Sequence, residues 1–240
     1  SAMVVGLTLL FFTPLFYFLP NTILASIIMV AVFKLIDLQS PKKLWKSSKS
    51  EFYILLFTFF ITLFIGIKEG IILGVLASLL LLVYRSSQPH VAVLGKIMGT
   101  DYFKDVDRFT EDIETFENLL LLRFDEQIYF GNSQFFKERL LERVDQKKGK
   151  LNVVILSSGG INYIDSSGMK ILNEIILILK SKNIQFYVAG AIGPVVDSLF
   201  KSGVAKNIGG KLFFANTQQA FKYYIHKNPK SKIEKKISLQ

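Results

Sequence analysis

The chain opens with two long apolar blocks. Val4 to Ile36 and Phe52 to Tyr84 are almost continuously hydrophobic, with a short lysine-rich stretch between them. As one helix, either block would run about 50 Å at ~1.5 Å per residue. A bilayer's hydrocarbon core is only about 30 Å thick. Two shorter helices per block fit better, with turns near Pro20-Asn21 and Lys68-Glu69. Each piece is short for a lone span, which is tolerated inside a larger bundle. The pattern therefore predicts two helical hairpins whose partner helices lie elsewhere.

After Ser86 the pattern changes to short apolar runs alternating with amphipathic segments. Strands are predicted at Val91 to Leu94, Leu119 to Phe124, Leu151 to Leu156, Ile184 to Ala189 and, last and shortest, Leu212 to Phe214. The acidic stretch from Asp101 to Glu117 reads as a surface loop. Gly131-Asn132-Ser133 opens a helix with Phe136, Leu140 and Val144 on one face. A helix from Ser167 carries Leu172, Ile175, Ile176 and Leu179 at i, i+3, i+4, i+7. Pro194 suits the first turn of a short helix ending at Gly203. Thr217 is placed to cap a final helix that buries Ala220, Phe221 and Tyr224. This alternation argues for an α/β layer with a mixed or parallel sheet flanked by helices. The expected boundaries are residues 1–86 for the membrane helices, 87–228 for the α/β domain and 229–240 for a basic, unstructured tail.

Charge and composition refine the picture. The formal charge is +10, and a soluble protein this basic would suggest nucleic acid. Its distribution argues against that partner. Lys42, Lys43, Lys46 and Lys49 crowd the stretch between the apolar blocks, and Lys222, Lys227, Lys230, Lys232, Lys235 and Lys236 lie near the C-terminus. Short basic loops beside spans mark the cytoplasmic side. Two crossings between Phe52 and Tyr84 return the chain to that side, so the α/β domain is expected there too, with Arg85 anchoring the last helix end. The lysine-rich tail reads as a solvated end, or as a segment meeting anionic lipid. The start, Ser1-Ala2-Met3, lacks a basic n-region and fits a signal peptide poorly, which reads as a chain cut from a longer protein. With no cysteine there is no disulfide, thiolate or cysteine nucleophile. His90 and His226 are far apart and have no ligand at metal-site spacing, so no metal and no cofactor are expected.

Two constellations stand out. Gly66, Gly70, Gly74 and Ser78 recur every four residues and would form a smooth helix face for close packing. Alternatively, Gly66 and Gly70 flank the turn and leave Gly74 and Ser78 as a weaker pair. Lys68 and Glu69 could form a buried ion site, but their place at the expected turn favours the interface. The second constellation is Asp165-Ser166-Ser167-Gly168, between a buried strand and a helix N-terminus. Asp165 or Ser166 can cap that helix. Ser166 is also a candidate phosphate acceptor, since a phosphate there would feel the helix dipole favourably and Asp165 unfavourably. Phosphate loops and dinucleotide fingerprints are absent, and Ser157, Ser158, Ser166 and Ser167 have no nearby histidine in sequence, so no catalytic residue is assigned.

Asp165-Ser166-Ser167-Gly168 after a buried strand resembles the signature of STAS domains. Ile128-Tyr129-Phe130-Gly131-Asn132 with Phe136-Lys137-Glu138-Arg139-Leu140 is similar to a stretch of the sulfate permease (SulP) family. Pro89, Ala92-Val93-Leu94-Gly95 and Gly99-Thr100 are similar as well. In the membrane half, Pro20, Leu24 to Ile28, Leu35-Ile36-Asp37, Gly70-Ile71, Gly74-Val75 and Ser78-Leu79 resemble the family's late helices. The resemblance runs to about Lys227. It implies the C-terminal part of a secondary active anion transporter, sulfate by default, in a cell (inner) membrane. It further implies a homodimer, a cytoplasmic STAS domain and a regulatory protein as a candidate partner. The family's anion site lies between half-helices upstream, so no substrate-binding residue maps onto this chain. Many members carry Asp and Ser where this chain has Ser157 and Gly159. The alternative function is a membrane-tethered STAS module switched at Ser166.

Overall fold

The computed structural model describes residues 2–16, 20–109, 113–229 and 233–237. The chain forms two compact units, residues 1–80 and 81–240. The first is helical: α1 (Ala2–Phe16), α2 (Asn21–Phe33), α3 (Gln39–Ser47), α4 (Lys49–Phe64) and α5 (Ile67–Ser87), which continues into the second unit. At 21 residues α5 is about 31 Å long. It is long and apolar enough to cross a membrane, whereas α2 is a shorter apolar helix of 13 residues. Pro20 is the N-cap residue of α2, where the pattern predicts a turn.

Two expectations here are corrected. The second turn falls at Ile65-Gly66, leaving Lys68 and Glu69 in the first turn of α5. An acidic residue is favoured at that end of a helix dipole, and Gly66 adopts φ 156°, outside helical geometry. The basic stretch is a helix, α3, and not a loop. The Asp37 carboxylate accepts from the Gln39 and Ser40 amides at 2.8 and 3.2 Å, satisfying free donors of its first turn.

The second unit is an eight-stranded mixed sheet. Its strands are β1 (Val91–Ile97), β2 (Phe103–Asp105), β3 (Ile113–Phe116), β4 (Leu119–Phe124), β5 (Val153–Ser157), β6 (Gln185–Ala189), β7 (Phe213–Phe214) and β8 (Ile233–Ile237). The order is β7-β6-β5-β4-β1-β3-β8, with β2 also paired to β1. The four strands β4 to β7 are parallel, and β1 runs antiparallel to β4 with Val91 opposite Phe124. The helices are α6 (Ser133–Gln146), α7 (Ser166–Ser181), α8 (Gly193–Lys201), α9 (Val204–Ile208) and α10 (Thr217–Lys227).

Side-chain alternation along the strands sorts the core into two faces. Leu120, Leu122 and Phe124 of β4, with Val154, Leu156, Phe186 and Val188, face Phe136 and Leu140 of α6 and Leu172, Ile175 and Leu179 of α7. Leu119, Leu121, Val153, Ile155 and Tyr187 face Ala220, Phe221 and Tyr224 of α10. Central strands covered on both sides read as unbroken apolar runs, which is why β4 and β5 are legible from sequence.

The remaining differences lie at the sheet edge and helix ends. The expected loop from Asp101 to Glu117 contains β2 and β3, whose runs of three and four residues are too short to show alternation. Residues 233–237, in the expected unstructured tail, form β8 against β3. The cap of α10 is Asn216, whose side-chain oxygen accepts from the Gln219 amide at 2.8 Å. Gln219 reaches back to the Ala215 amide at 3.3 Å, and Thr217 is the first helical residue.

Candidate functional site

The two motif segments, 128–132 and 163–168, meet in space. Ile128 and Ile164 form a parallel bridge. The Ile128 amide donates to Tyr163 O at 3.0 Å, and the Asp165 amide donates to Ile128 O at 3.0 Å. The Asp165 carboxylate completes the joint. One oxygen accepts from the Gly168 amide at 2.7 Å, capping α7, and the other accepts from the Phe130 amide at 2.9 Å. Asp165 is therefore the cap, and Ser166 is the first residue of α7, exposed to solvent. Ser167 is half-buried and Gly168 is buried.

Gly168 is required by space. A Cβ there would sit 2.9 Å from the backbone oxygen of Ile128 and 2.8 and 2.9 Å from the Cγ2 atoms of Ile128 and Ile164. Around this turn Phe130 and Tyr163 project into solvent, 75% and 56% exposed. Beside it a shallow cleft of about 390 Å³ is lined by Ser166, Lys170, Asn173, Ser202 and Asn207 among others. These groups can bind a polar or anionic ligand or carry a phosphate. No histidine lines the cleft.

Asn132 ties this region to the end of α5. It is fully buried. Its side-chain oxygen accepts from the Tyr129 amide at 3.0 Å, while its amide group donates to Gln127 O at 2.8 Å and Ser86 O at 3.2 Å. Ser86 lies in the last turn of α5. Ser157, at the departure from the family pattern, accepts from the Thr217 hydroxyl at 2.9 Å and so fixes the start of α10.

The fold also gathers charges that sequence spacing keeps apart. His90 lies between two carboxylates, its Nδ1 2.9 Å from Asp125 and its Nε2 3.4 Å from Asp105. Asp105 is 2% exposed, and its Oδ2 has no hydrogen-bond partner among the described residues. Arg123 donates to both oxygens of Asp125. Burial pushes the Asp125 carboxyl up, but hydrogen bonds from Arg123 and His90 outweigh it and hold the group below the usual carboxylate range. Among the described residues no group of three metal-ligating side chains has metal-site geometry.

In the first unit, Gly70 and Gly74 are the buried residues of α5. Each faces a threonine of α4. A Cβ at Gly70 would lie 3.0 Å from Thr62 Cα, and one at Gly74 would lie 2.8 Å from Thr58 Oγ1. Gly66 sits in the turn before α5 and Ser78 is exposed, so the described contact uses the middle two of the four small residues.

Residues 1–58 match the family model described as Sulfate permease family, and residues 111–220 match the STAS domain model. The chain belongs to the sulfate permease family. Members of that family are integral membrane proteins. This sulfate permease chain is 32% identical to the probable sulfate transporter 4.2 of Arabidopsis thaliana, over 94% of its length and 35% of the relative's. It is 31% identical to high affinity sulfate transporter 2 of Stylosanthes hamata, over 93% of its length and 35% of the relative's. The chain thus spans about a third of the curated relatives it matches. A structure of the murine Solute Carrier 26 family member A9 anion transporter, in an inward-facing state, has the same fold, with a TM-score of 0.76 at 20% identity. That likeness covers 92% of the sulfate permease chain and 36% of the murine one.

Several partners in these sites escape sequence reasoning. Phe130 and Asp165 are 35 residues apart, and Asn132 and Ser86 are 46 apart. The motif Tyr129-Phe130-Gly131-Asn132 was the available signal, but not its contacts. Thr58 and Thr62, spaced by four on α4, were the visible counterpart of Gly70 and Gly74.

Proposed function

We propose that the chain is the C-terminal part of a secondary active inorganic anion transporter of sulfate type. In this reading residues 1–86 are late membrane helices, and residues 87–228 form a STAS domain with a structural, dimerising or regulatory role. The rest of a longer chain supplies the anion site. The observation that carries the reading is the α4–α5 pair. Its helices meet at Gly70 and Gly74, their other faces are exposed and apolar, and α5 runs on to the STAS domain. A simple tether needs one span and no close-packed neighbour. The lysines at 42, 43, 46 and 49 and Arg85 at the end of α5 support a cytoplasmic position for the STAS domain. Resemblance to the family supports an inner-membrane location and a homodimer. Uptake of labelled sulfate by the full-length protein in a transport-deficient host tests the reading. Uptake above the empty host is expected. Membrane-inserted protein that moves neither sulfate, bicarbonate nor a dicarboxylate would refute it.

A second reading rests on Ser166. Its side chain is exposed at the start of α7, with Lys170 one turn on and facing the same cleft. A phosphate at Ser166 would meet the helix N-terminus and Lys170 favourably and Asp165 unfavourably, changing the surface that a cytoplasmic regulatory protein would contact. Intact mass of protein purified from cells, before and after phosphatase, tests this switch. An unchanged mass across growth conditions would remove it and leave Asp165-Ser166-Ser167-Gly168 as a structural turn.

A further inference from the structure

The helix α3 has features that neither transport nor the STAS domain accounts for. Between Leu38 and Ser50 the chain carries four lysines and no acidic residue. Lys42, Lys43 and Lys46 lie at i, i+1 and i+4, and so share one side of α3. The chain entering and leaving it is apolar and exposed, with Phe33, Leu35, Ile36 and Leu38 before and Tyr53, Leu56 and Phe57 after. Those surfaces belong in hydrocarbon, which puts α3 where two membrane helices reach the headgroup region.

Trp45 is held in a defined position. Its ring meets Phe52 edge-on, with centroids 4.9 Å apart and planes at 76°, and Lys49 Nζ lies 5.9 Å from the indole centroid. The indole is still 49% exposed. Pro41, Lys42, Lys43, Trp45, Lys46 and Phe52 line a cleft of about 630 Å³. It has an aromatic wall and a rim of ammonium groups. The N-terminus of α3 is already occupied by Asp37. Hydrogen bonds from the Ser40 hydroxyl and the first-turn amides hold its carboxyl below the usual range, with a smaller contribution from Lys43. The positive charge open to a ligand is therefore that of the lysine side chains.

We infer that α3 lies in the membrane interface and that its cleft takes the phosphate headgroup of an anionic phospholipid, with Lys42, Lys43 and Lys46 on the phosphate and Trp45 at the glycerol level. The exposed apolar flanks and the charge commit the site to a lipid in the leaflet, because a soluble phosphate would use only the rim. Amphipathic segments with lysine on one face and tryptophan beside it bind in this way. Each lysine near an anionic surface is worth about fivefold in partition. The inference rests on the membrane reading above.

Trp45 is the sole tryptophan of the chain, so its fluorescence reports this site alone. The full chain is incorporated into nanodiscs of phosphatidylcholine, with or without phosphatidylglycerol, and compared with a Lys42→Gln, Lys43→Gln, Lys46→Gln variant. The expected result is a blue-shifted Trp45 emission with phosphatidylglycerol and stronger quenching by brominated phosphatidylglycerol than by brominated phosphatidylcholine. At about fivefold per lysine, the triple variant can erase a preference of up to roughly a hundredfold, so it should sort the two lipids alike. Soluble glycerol phosphate should leave the emission unchanged. Identical wild-type spectra in both discs would overturn the inference, as would a preference retained by the triple variant or a shift reproduced by glycerol phosphate. Failure of the chain to co-elute with neutral discs would overturn the membrane reading itself, and that outcome is seen before any lipid preference is measured.

Discussion

Replacing Gly168 by alanine tests the claim that the signature glycine is dictated by space. The new Cβ would meet the Ile128 backbone oxygen at 2.9 Å and two isoleucine methyls at 2.8 and 2.9 Å. None of these neighbours can yield easily. Ile128 and Ile164 are 0% and 7% exposed, and the oxygen also accepts from the Asp165 amide. Overpacking of this kind costs about 1–3 kcal/mol. Pushing the first turn of α7 outward also weakens the Gly168–Asp165 cap, worth ~1 kcal/mol. Opposing these losses, alanine is favoured over glycine in a helix by up to about 1 kcal/mol. The clash and the cap win, with a net cost of ~2 kcal/mol, which is roughly thirtyfold in an equilibrium constant. Hydrogen exchange of β5 and α7 peptides should therefore speed up about thirtyfold in the Gly168→Ala chain. Gly193→Ala is the control, because a Cβ there meets nothing within 4 Å. Wild-type exchange in Gly168→Ala, or equal acceleration in both variants, would refute the reasoning.

Four further outcomes follow from the same geometry. Gly70→Ala should lower the thermal midpoint of the chain in detergent through an overpacking cost of about 1–3 kcal/mol, whereas Gly6→Ala, with open space around it, should not. Asn132→Ala strands the Tyr129 amide and the Gln127 and Ser86 carbonyls, at about 1–3 kcal/mol for each group left buried. It should raise exchange throughout α6 and β4, and Asn132→Asp should not restore it, since a carboxylate cannot donate to two carbonyls. The Asp125 carboxyl is depressed in the fold, so its stabilisation is present above the unfolded value near ~3.9 and is lost as pH falls through the lower folded value. Acid unfolding of Asp125→Asn should accordingly be less steep below about pH 4. Burial, with Tyr223 and Tyr224 nearby, pushes the Tyr187 phenol up to about 12, so its contribution is full below ~10 and fades as pH rises toward that value. Tyr187→Phe should flatten the alkaline limb of the thermal-midpoint profile.

What the sequence makes legible divides by range of interaction. The parallel strands β4 and β5 and the faces of α6 and α7 are readable because their signals are local, an apolar run or a stripe at helical spacing. The short strands β2 and β3 are not, because three or four residues among charged neighbours carry too little periodicity for pairing to show. The lysine-rich stretch reads as a loop on charge alone. It is a helix because Asp37, outside the stretch, supplies the acceptor its first turn needs. The histidines read as isolated in sequence, yet the sheet carries Asp105 and Asp125 to either side of His90.

The candidate site shows the same division, and it explains why its motifs occur together. Tyr129-Phe130-Gly131-Asn132 and Asp165-Ser166-Ser167-Gly168 look like separate signatures along the chain. In the fold they are one object, since the Phe130 amide and the α7 cap share the Asp165 carboxylate. The neighbouring Asn132 spends its side chain on Tyr129, Gln127 and Ser86. The six residues from Gln127 to Asn132 therefore hold both the start of α7 and the last turn of α5. An alanine has no acceptor for Phe130 at position 165 and no donor for Ser86 at position 132, so neither motif tolerates it even though neither contains a reacting group. A substitution at either site should be felt at the other. In a double-mutant cycle, Asp165→Ala and Asn132→Ala should fall short of additivity, because once either has loosened the segment the second has less left to lose. Strict additivity would show that the two ends of the segment act independently.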